Sequence, residues 1–347
     1  MNFSKLSAVI IGGSLILVSA CHKDDEHHTM LNINYPAAYV VNGSSNNISV
    51  ISIADHIVKE TIALKGATFP HHIYLNPAKT KLAVAITSTD LSGGHADHGG
   101  SLAGLKVQIV DAITGMIDKE IALSKMPHNA IFNASGTELW LGQMDTSQSQ
   151  VLVYKTSDWS LQNTINVGKG LSEITFSSDA TMAFGANTSE GTVTVIDANS
   201  KMVRTTLTVG QDPVGAWPAA NGNMYVDNEK SQSVTEISVS EAKVISTFNL
   251  GFKPGYVAYS THHSEIWVTD ATNGKVVFFK NVAGVWTLSG NLATGADAHA
   301  IAFSSNGEKA YITNQGANTV SVIDVVNHTK IKDINVGIKP NGVALKQ

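Results

Sequence analysis

Histidine returns at the second place of three short phrases: His71 in PHHIYLN (70–76), His128 in PHNAIFN (127–133) and His299 in AHAIAFS (298–304). His72 follows His71 directly, and His95 and His98 stand in the glycine-rich stretch GGHADHGG (93–100). Imidazole is a favoured ligand for Zn²⁺ and Cu²⁺, and three or four nitrogens at ~2.0–2.1 Å from Zn²⁺ make a complete or nearly complete site. His71, His128 and His299, joined by His95 or His98, are therefore a candidate site for a zinc or copper ion, bare or within a metal-containing small molecule. His72 is a possible further ligand. Glu173 and Asp145 offer carboxylates, either as a fourth ligand or to orient an imidazole. Met144 offers a soft thioether if the metal is Cu(I). The competing account is bland: each imidazole bonds a neighbouring element and lines a wet channel. The choice turns on where the chain puts these residues.

A repeated unit positions them. The three histidine phrases align with LSEITFS (171–177), PVGAWPA (213–219), PGYVAYS (254–260) and PNGVALK (340–346). Successive phrases start 41 to 44 residues apart, except for a first spacing of 57, whose surplus contains GGHADHGG. Each phrase precedes a second strand, as in YVVN (39–42), WLGQ (140–143), FGAN (184–187), WVTD (267–270) and YITN (311–314), and then two more strands. Four strands per ~42 residues is the signature of propeller blades. The chain begins at a second strand and ends at a first one, so the two ends complete one blade and close the ring, which removes exposed sheet edges. The expectation is an all-β, seven-bladed β-propeller over residues 35–347. The aromatic column Tyr39, Trp140, Phe184, Tyr225, Trp267 and Tyr311 is read as packing between blades.

In such a blade the loop into the first strand and the loop from the second to the third share one face. His71, His72, His128, His299 and the insertion with His95 and His98 all map to that entry face. The column histidines belong to blades on one half of the rim, and the glycines of the insertion let it bend across the mouth. His56, His262, His263 and His328 fall in turns of the far face and are read as solvated turn residues without a role.

The N-terminal MNFSKLSAVIIGGSLILVSAC has one lysine and an apolar run too short to span a bilayer, which places a secretory signal over residues 1–20. Cys21 is the single cysteine, so an intrachain disulfide and a thiolate metal site are excluded. HKDDEHHTM follows, a polar tether assigned to residues 21–34. Net charge is −5 with no basic block, which argues against nucleic acid as a partner.

Three resemblances sharpen this. V-S-A-C (18–21) resembles a lipobox, which implies that Cys21 is acylated and that the protein is lipid-anchored to the outer membrane, at the cell surface or in the periplasm; Lys-Asp-Asp-Glu (23–26) resembles an export tag for surface lipoproteins. YITNQGANTVSVIDVVNHTKIKDINVGIKPNGVA (311–344) resembles the YVTN-type repeat of bacterial seven-bladed propellers. The YVTN resemblance covers residues 35–347 and speaks for the fold, since a propeller takes its use from grafted sites. The function expected is non-catalytic capture or uptake of a transition metal or metal complex, with an outer-membrane transporter as a possible partner, as in similar lipid-anchored propellers that hand on cobalamin. The alternatives are a metal-dependent propeller enzyme of reductase or lyase type, and a protein-interaction platform without metal.

Overall fold

The computed structural model describes residues 30–92 and 103–347. Seven antiparallel sheets of four strands carry these residues. We number the blades from the one shared by both ends. Blade 1 combines Pro340–Lys346 with Ala37–Asn42, Asn47–Ser52 and Ile57–Ala63, in that spatial order. The inner strands of blades 2 to 7 are Pro70–Leu75, Pro127–Phe132, Leu171–Phe176, Pro213–Pro218, Pro254–Ser260 and Ala298–Phe303. Each inner strand packs against those of both neighbouring blades, and blade 7 meets blade 1, so the ring is closed. The expected closure by the C-terminal strand is observed: Ala37 pairs with Lys346 and Tyr39 with Ala344.

The strands follow from their neighbours. Second strands are buried from end to end, as in Ala37–Asn42 and Glu265–Asp270, because blades pack on both faces of each sheet. The column Tyr39, Trp140, Phe184, Tyr225, Trp267 and Tyr311 supplies the six largest fully buried side chains. Each such ring removes about 150–250 Å² from water and spaces one blade from the next. The asparagine that closes several second strands ties the third strand to it. Asn187 Nδ2 donates to Thr194 Oγ1 at 2.9 Å, and Asn314 Nδ2 to Ser321 Oγ at 3.0 Å. Outer strands such as Thr329–Asn335 are largely exposed and rich in lysine, which blunts their free edges.

The signal segment 1–20, Cys21 and the insertion histidines His95 and His98 lie outside the described residues. The packed body begins at Leu31, ahead of the expected boundary at 35. Leu31 and Ile33 donate backbone hydrogen bonds to Thr114 and Ile113, and Ile33 is fully buried. An apolar alternation two residues long was too short a signal to separate from the tether.

Candidate metal centre

One irregularity of the inner strands decides where the histidines point. In a regular strand, consecutive side chains face opposite sides of the sheet. In blade 2, however, Pro70 pairs with Ile86 and Ile73 with Val84, so His71 and His72 together stand against the single residue Ala85. Blade 3 carries the same bulge between Pro127 and Ala130, blade 4 between Leu171 and Ile174, and blade 7 between Ala298 and Ile301. A bulge of this kind re-aims side chains that would otherwise alternate. In blade 7 the Ala300 amide within the bulge donates to Thr313 Oγ1 of the second strand at 2.9 Å.

The result is a buried imidazole cluster. His71 and His72 have ring centroids 4.4 Å apart, His71 and His128 4.4 Å, and His72 and His128 5.3 Å. One nitrogen from each of His71, His72 and His128 can be chosen so that all lie within 4.8 Å of one another. His299 stands at the edge, with centroids 5.8 Å from His72 and 6.3 Å from His71. Exposure is 0% for His128, 2% for His71, 4% for His72 and 7% for His299. Blade 1 makes room for the cluster with a glycine, because a Cβ on Gly342 would lie 3.3 Å from His72 Nδ1 and 3.1 Å from the Ile73 amide nitrogen.

Glu173 of blade 4 holds the arrangement together. Its fully buried carboxylate places Oε1 2.7 Å from His128 Nδ1 and 3.1 Å from His72 Nε2. Oε2 accepts from the Tyr74 hydroxyl at 3.2 Å. Beside it, the Asn129 side chain donates to the Ile174 carbonyl at 2.8 Å and accepts from the Ile174 amide at 3.1 Å, which locks blade 3 to blade 4. A neutral His128 that donates from Nδ1 carries its lone pair on Nε2. By the same reasoning His72 carries its lone pair on Nδ1. This is the arrangement in which a carboxylate fixes the tautomer and orientation of a metal-binding imidazole. Burial, and next the charge of Glu173, push the Tyr74 phenol well above its ordinary pKa, so Tyr74 remains a donor.

The remaining candidates lie elsewhere. Met144 packs in a small apolar cluster with Leu91, Leu105 and Met126. Asp145 pairs with Lys125 at 2.7 Å and accepts from the Ser147 and Gln148 amides of its own turn, contacts that depress its pKa strongly. Of the far-face histidines, two are more engaged than solvated turn residues. His328 lies 2.8 Å from Glu265 and stacks on His263 at 4.6 Å, and His263 contacts the Val325 carbonyl at 2.9 Å. These contacts join the turns of adjacent blades 6 and 7, a cross-blade proximity that no single repeat displays.

Sequence reasoning placed His72 only at the margin and did not find Tyr74. A signal for His72 existed in its own column, where the other blades carry Asn129, Glu173, Gly215, Tyr256, Ala300 and Gly342 instead of the branched apolar residue of a packed face. Tyr74 was marked by bulk: its column otherwise holds Ile131, Thr175, Ala258, Ala302 and Ala344, with Trp217 as the other exception.

Comparison with known proteins adds the following. No protein-family model matches the chain. It is 24% identical over 255 residues to the uncharacterized protein YncE of Salmonella typhimurium, a match covering 68% of this chain and 70% of that one. The periplasmic gluconolactonase of Pseudomonas aeruginosa superposes with a TM-score of 0.71 at 15% identity, covering 90% of this chain and 99% of its own. Hydrazine synthase of Kuenenia stuttgartiensis superposes with a TM-score of 0.65 at 17% identity, covering 79% and 89%. At such identities the structural likeness speaks for the fold alone. The chain is a seven-bladed β-propeller with sequence similarity to YncE-type proteins.

Proposed function

We propose that this propeller binds a divalent transition-metal ion, Zn²⁺ or Cu²⁺, in the entry-side end of its channel. His71, His72 and His128 supply the nitrogens, and Glu173 orients two of them. The observation that carries the proposal is the burial of three clustered imidazoles, two of them bonded to one buried carboxylate. Protonating more than one ring at centroid separations of 4.4 Å places like charges together in a dry site, which is expensive. A cation shared by neutral rings satisfies the same nitrogens without that repulsion, and Glu173 offsets part of its charge. His299 stands where a small shift brings a fourth nitrogen, and the insertion bearing His95 and His98 leaves the chain on the same face. A bare ion suits this site better than a bulky chelate, because the rings lie inside the channel wall.

The lipobox-like V-S-A-C supports a setting outside the cytoplasm, with Cys21 as the lipid-bearing residue and metal capture or uptake as the role. Titration of metal-free protein with Zn²⁺ and Cu²⁺, followed by competition with a chromophoric chelator, tests the site. Wild type is expected to bind one equivalent, and His71→Ala and His128→Ala to abolish that binding. Stoichiometric binding that survives in both variants overturns the proposal.

A further inference from the structure

The channel has a second end that the metal proposal leaves unused. The histidines occupy the beginnings of the inner strands. Toward the ends of the inner strands of blades 2 to 5, and bounded on blade 6 by Tyr256, lies an open cavity of about 310 Å³. Five aromatic rings line it, from Tyr74, Phe132, Phe176, Trp217 and Tyr256, and none of its lining side chains is charged. Trp217 and Tyr256 form one wall, with ring centroids 3.9 Å apart and planes tilted by 32°. The indole lies back along its own strand over Gly215, where a Cβ would come within 2.3 Å of Trp217 Cζ2. Trp217 Nε1 donates to the buried Asp227 carboxyl at 2.7 Å, and the Gly215 amide donates to the same oxygen at 3.1 Å. The wall is therefore fixed before any ligand arrives, which lowers the ordering cost of binding.

From this geometry we infer that the cavity is a second binding site, for an uncharged planar aromatic molecule of one or two rings. The volume exceeds the ~150 Å³ of a benzene-binding cavity and matches the lower end of small-molecule pockets. Offset or tilted stacking on a fixed Trp–Tyr wall selects flat rings. The uncharged lining selects against ions, whose burial without a partner is costly. Burial, and next the charge of Glu173, holds the Tyr256 phenol protonated. This site stands whether or not the histidines hold a metal.

The test uses N-phenyl-1-naphthylamine, an uncharged aromatic probe that fluoresces on leaving water. Wild type should give a saturable, single-site rise in probe emission, reversed by 2-naphthol and not by naphthalene-2-sulfonate. Ala134 and Ser178 are exposed residues on the cavity rim, so Ala134→Trp and Ser178→Trp fill it without disturbing the core. Each should weaken probe binding about tenfold or more while leaving the Zn²⁺ titration and the unfolding midpoint unchanged. Absence of saturable binding in wild type overturns the inference. So do equal affinity in both filled variants and equal displacement by the sulfonate.

Discussion

Glu173→Gln separates a carboxylate that orients ligands from one that is itself a ligand. Glutamine preserves the volume but has one carbonyl oxygen, so either the Tyr74 hydroxyl at the Oε2 position or the two imidazoles at the Oε1 position keep an acceptor. What it removes is the charge and one of two acceptors, because Oε1 faces both His128 Nδ1 at 2.7 Å and His72 Nε2 at 3.1 Å while Oε2 faces Tyr74. Both rings then lose basicity, and both lose tautomer control wherever the amide nitrogen takes the Oε1 position to keep Tyr74 bonded. Losing a partner of this kind costs about 10–100-fold in metal affinity, or about 1.4–2.8 kcal/mol. Zinc affinity should be measured at fixed pH and ionic strength by competition with a fluorescent chelator. Thermal unfolding of the metal-free variant should accompany it, to show that the propeller is intact. Binding within about twofold of wild type, which is about 0.4 kcal/mol, refutes the orienting role. Complete loss, equal to that of His128→Ala, refutes it from the other side and makes Glu173 a direct ligand.

Ligation requires neutral imidazole, so zinc affinity should fall as pH drops through the histidine range near ~6.5, read from the same competition assay at a series of pH values. His263→Ala, on the far face, should leave zinc binding unchanged, and a measurable loss would place the metal elsewhere. Deleting residues 339–347 removes the inner strand of blade 1 and exposes the edge of Ala37–Asn42; the deletion should abolish cooperative thermal unfolding and raise dye binding to apolar surface. Burial, aided by nearby Glu229 and opposed by the Trp217 hydrogen bond, holds the Asp227 carboxyl well above the usual carboxylate range. The folded chain then keeps this proton to higher pH than the unfolded chain does. The stability from this group is full below about pH 4 and is lost as pH rises through the elevated folded value. Asp227→Asn should flatten that decline in urea midpoints measured across this range, and an unchanged slope refutes the assignment.

The repeat was legible because it is written seven times. Entry phrases at near-constant spacing, an aromatic in the same place of most second strands and a split first repeat together leave one closed ring as the economical solution. The face of each loop followed from strand direction alone, which put His71, His128 and His299 on one rim. The bulge was not legible. Period-two reasoning sends neighbours His71 and His72 to opposite faces, and only the pairing of Pro70 with Ile86 and Ile73 with Val84 reveals that both turn inward. Glu173 was recognisable as a carboxylate at the right level of the next blade but one. Its position between two imidazoles and a phenol depends on how far the inner strands of blades 2, 3 and 4 approach one another, a distance set by tertiary packing. The contact between Trp217 and Asp227 was hidden for the same reason, although an acid stands oddly in a column otherwise filled by Val41, Ala85, Gly142, Ala186, Thr269 and Thr313.

These exceptions share a physical logic. A ring of near-identical blades would line its channel with seven copies of whatever residue the repeat prefers, and small or apolar side chains close it most cheaply. Each departure from that pattern carries a cost that the fold alone does not explain: buried imidazoles at His71, His72 and His128, a buried carboxylate at Glu173, a buried acid at Asp227. The departures are not scattered. The clustered imidazoles and the carboxylate beside them sit on blades 2, 3 and 4, where the bulges aim them at one point. The bulky rings Tyr74 and Trp217 sit further along the inner strands, where Tyr256, from the column of His72, packs against Trp217. Tyr74 belongs to both groups, since its ring lines the cavity while its hydroxyl holds Glu173. A closed propeller tolerates such a concentration because its stability is distributed over seven blade interfaces, leaving the channel free to carry strained and polar groups. The residues that break the repeat are thus the ones to which chemistry is assigned, and the residues that keep it are the scaffold.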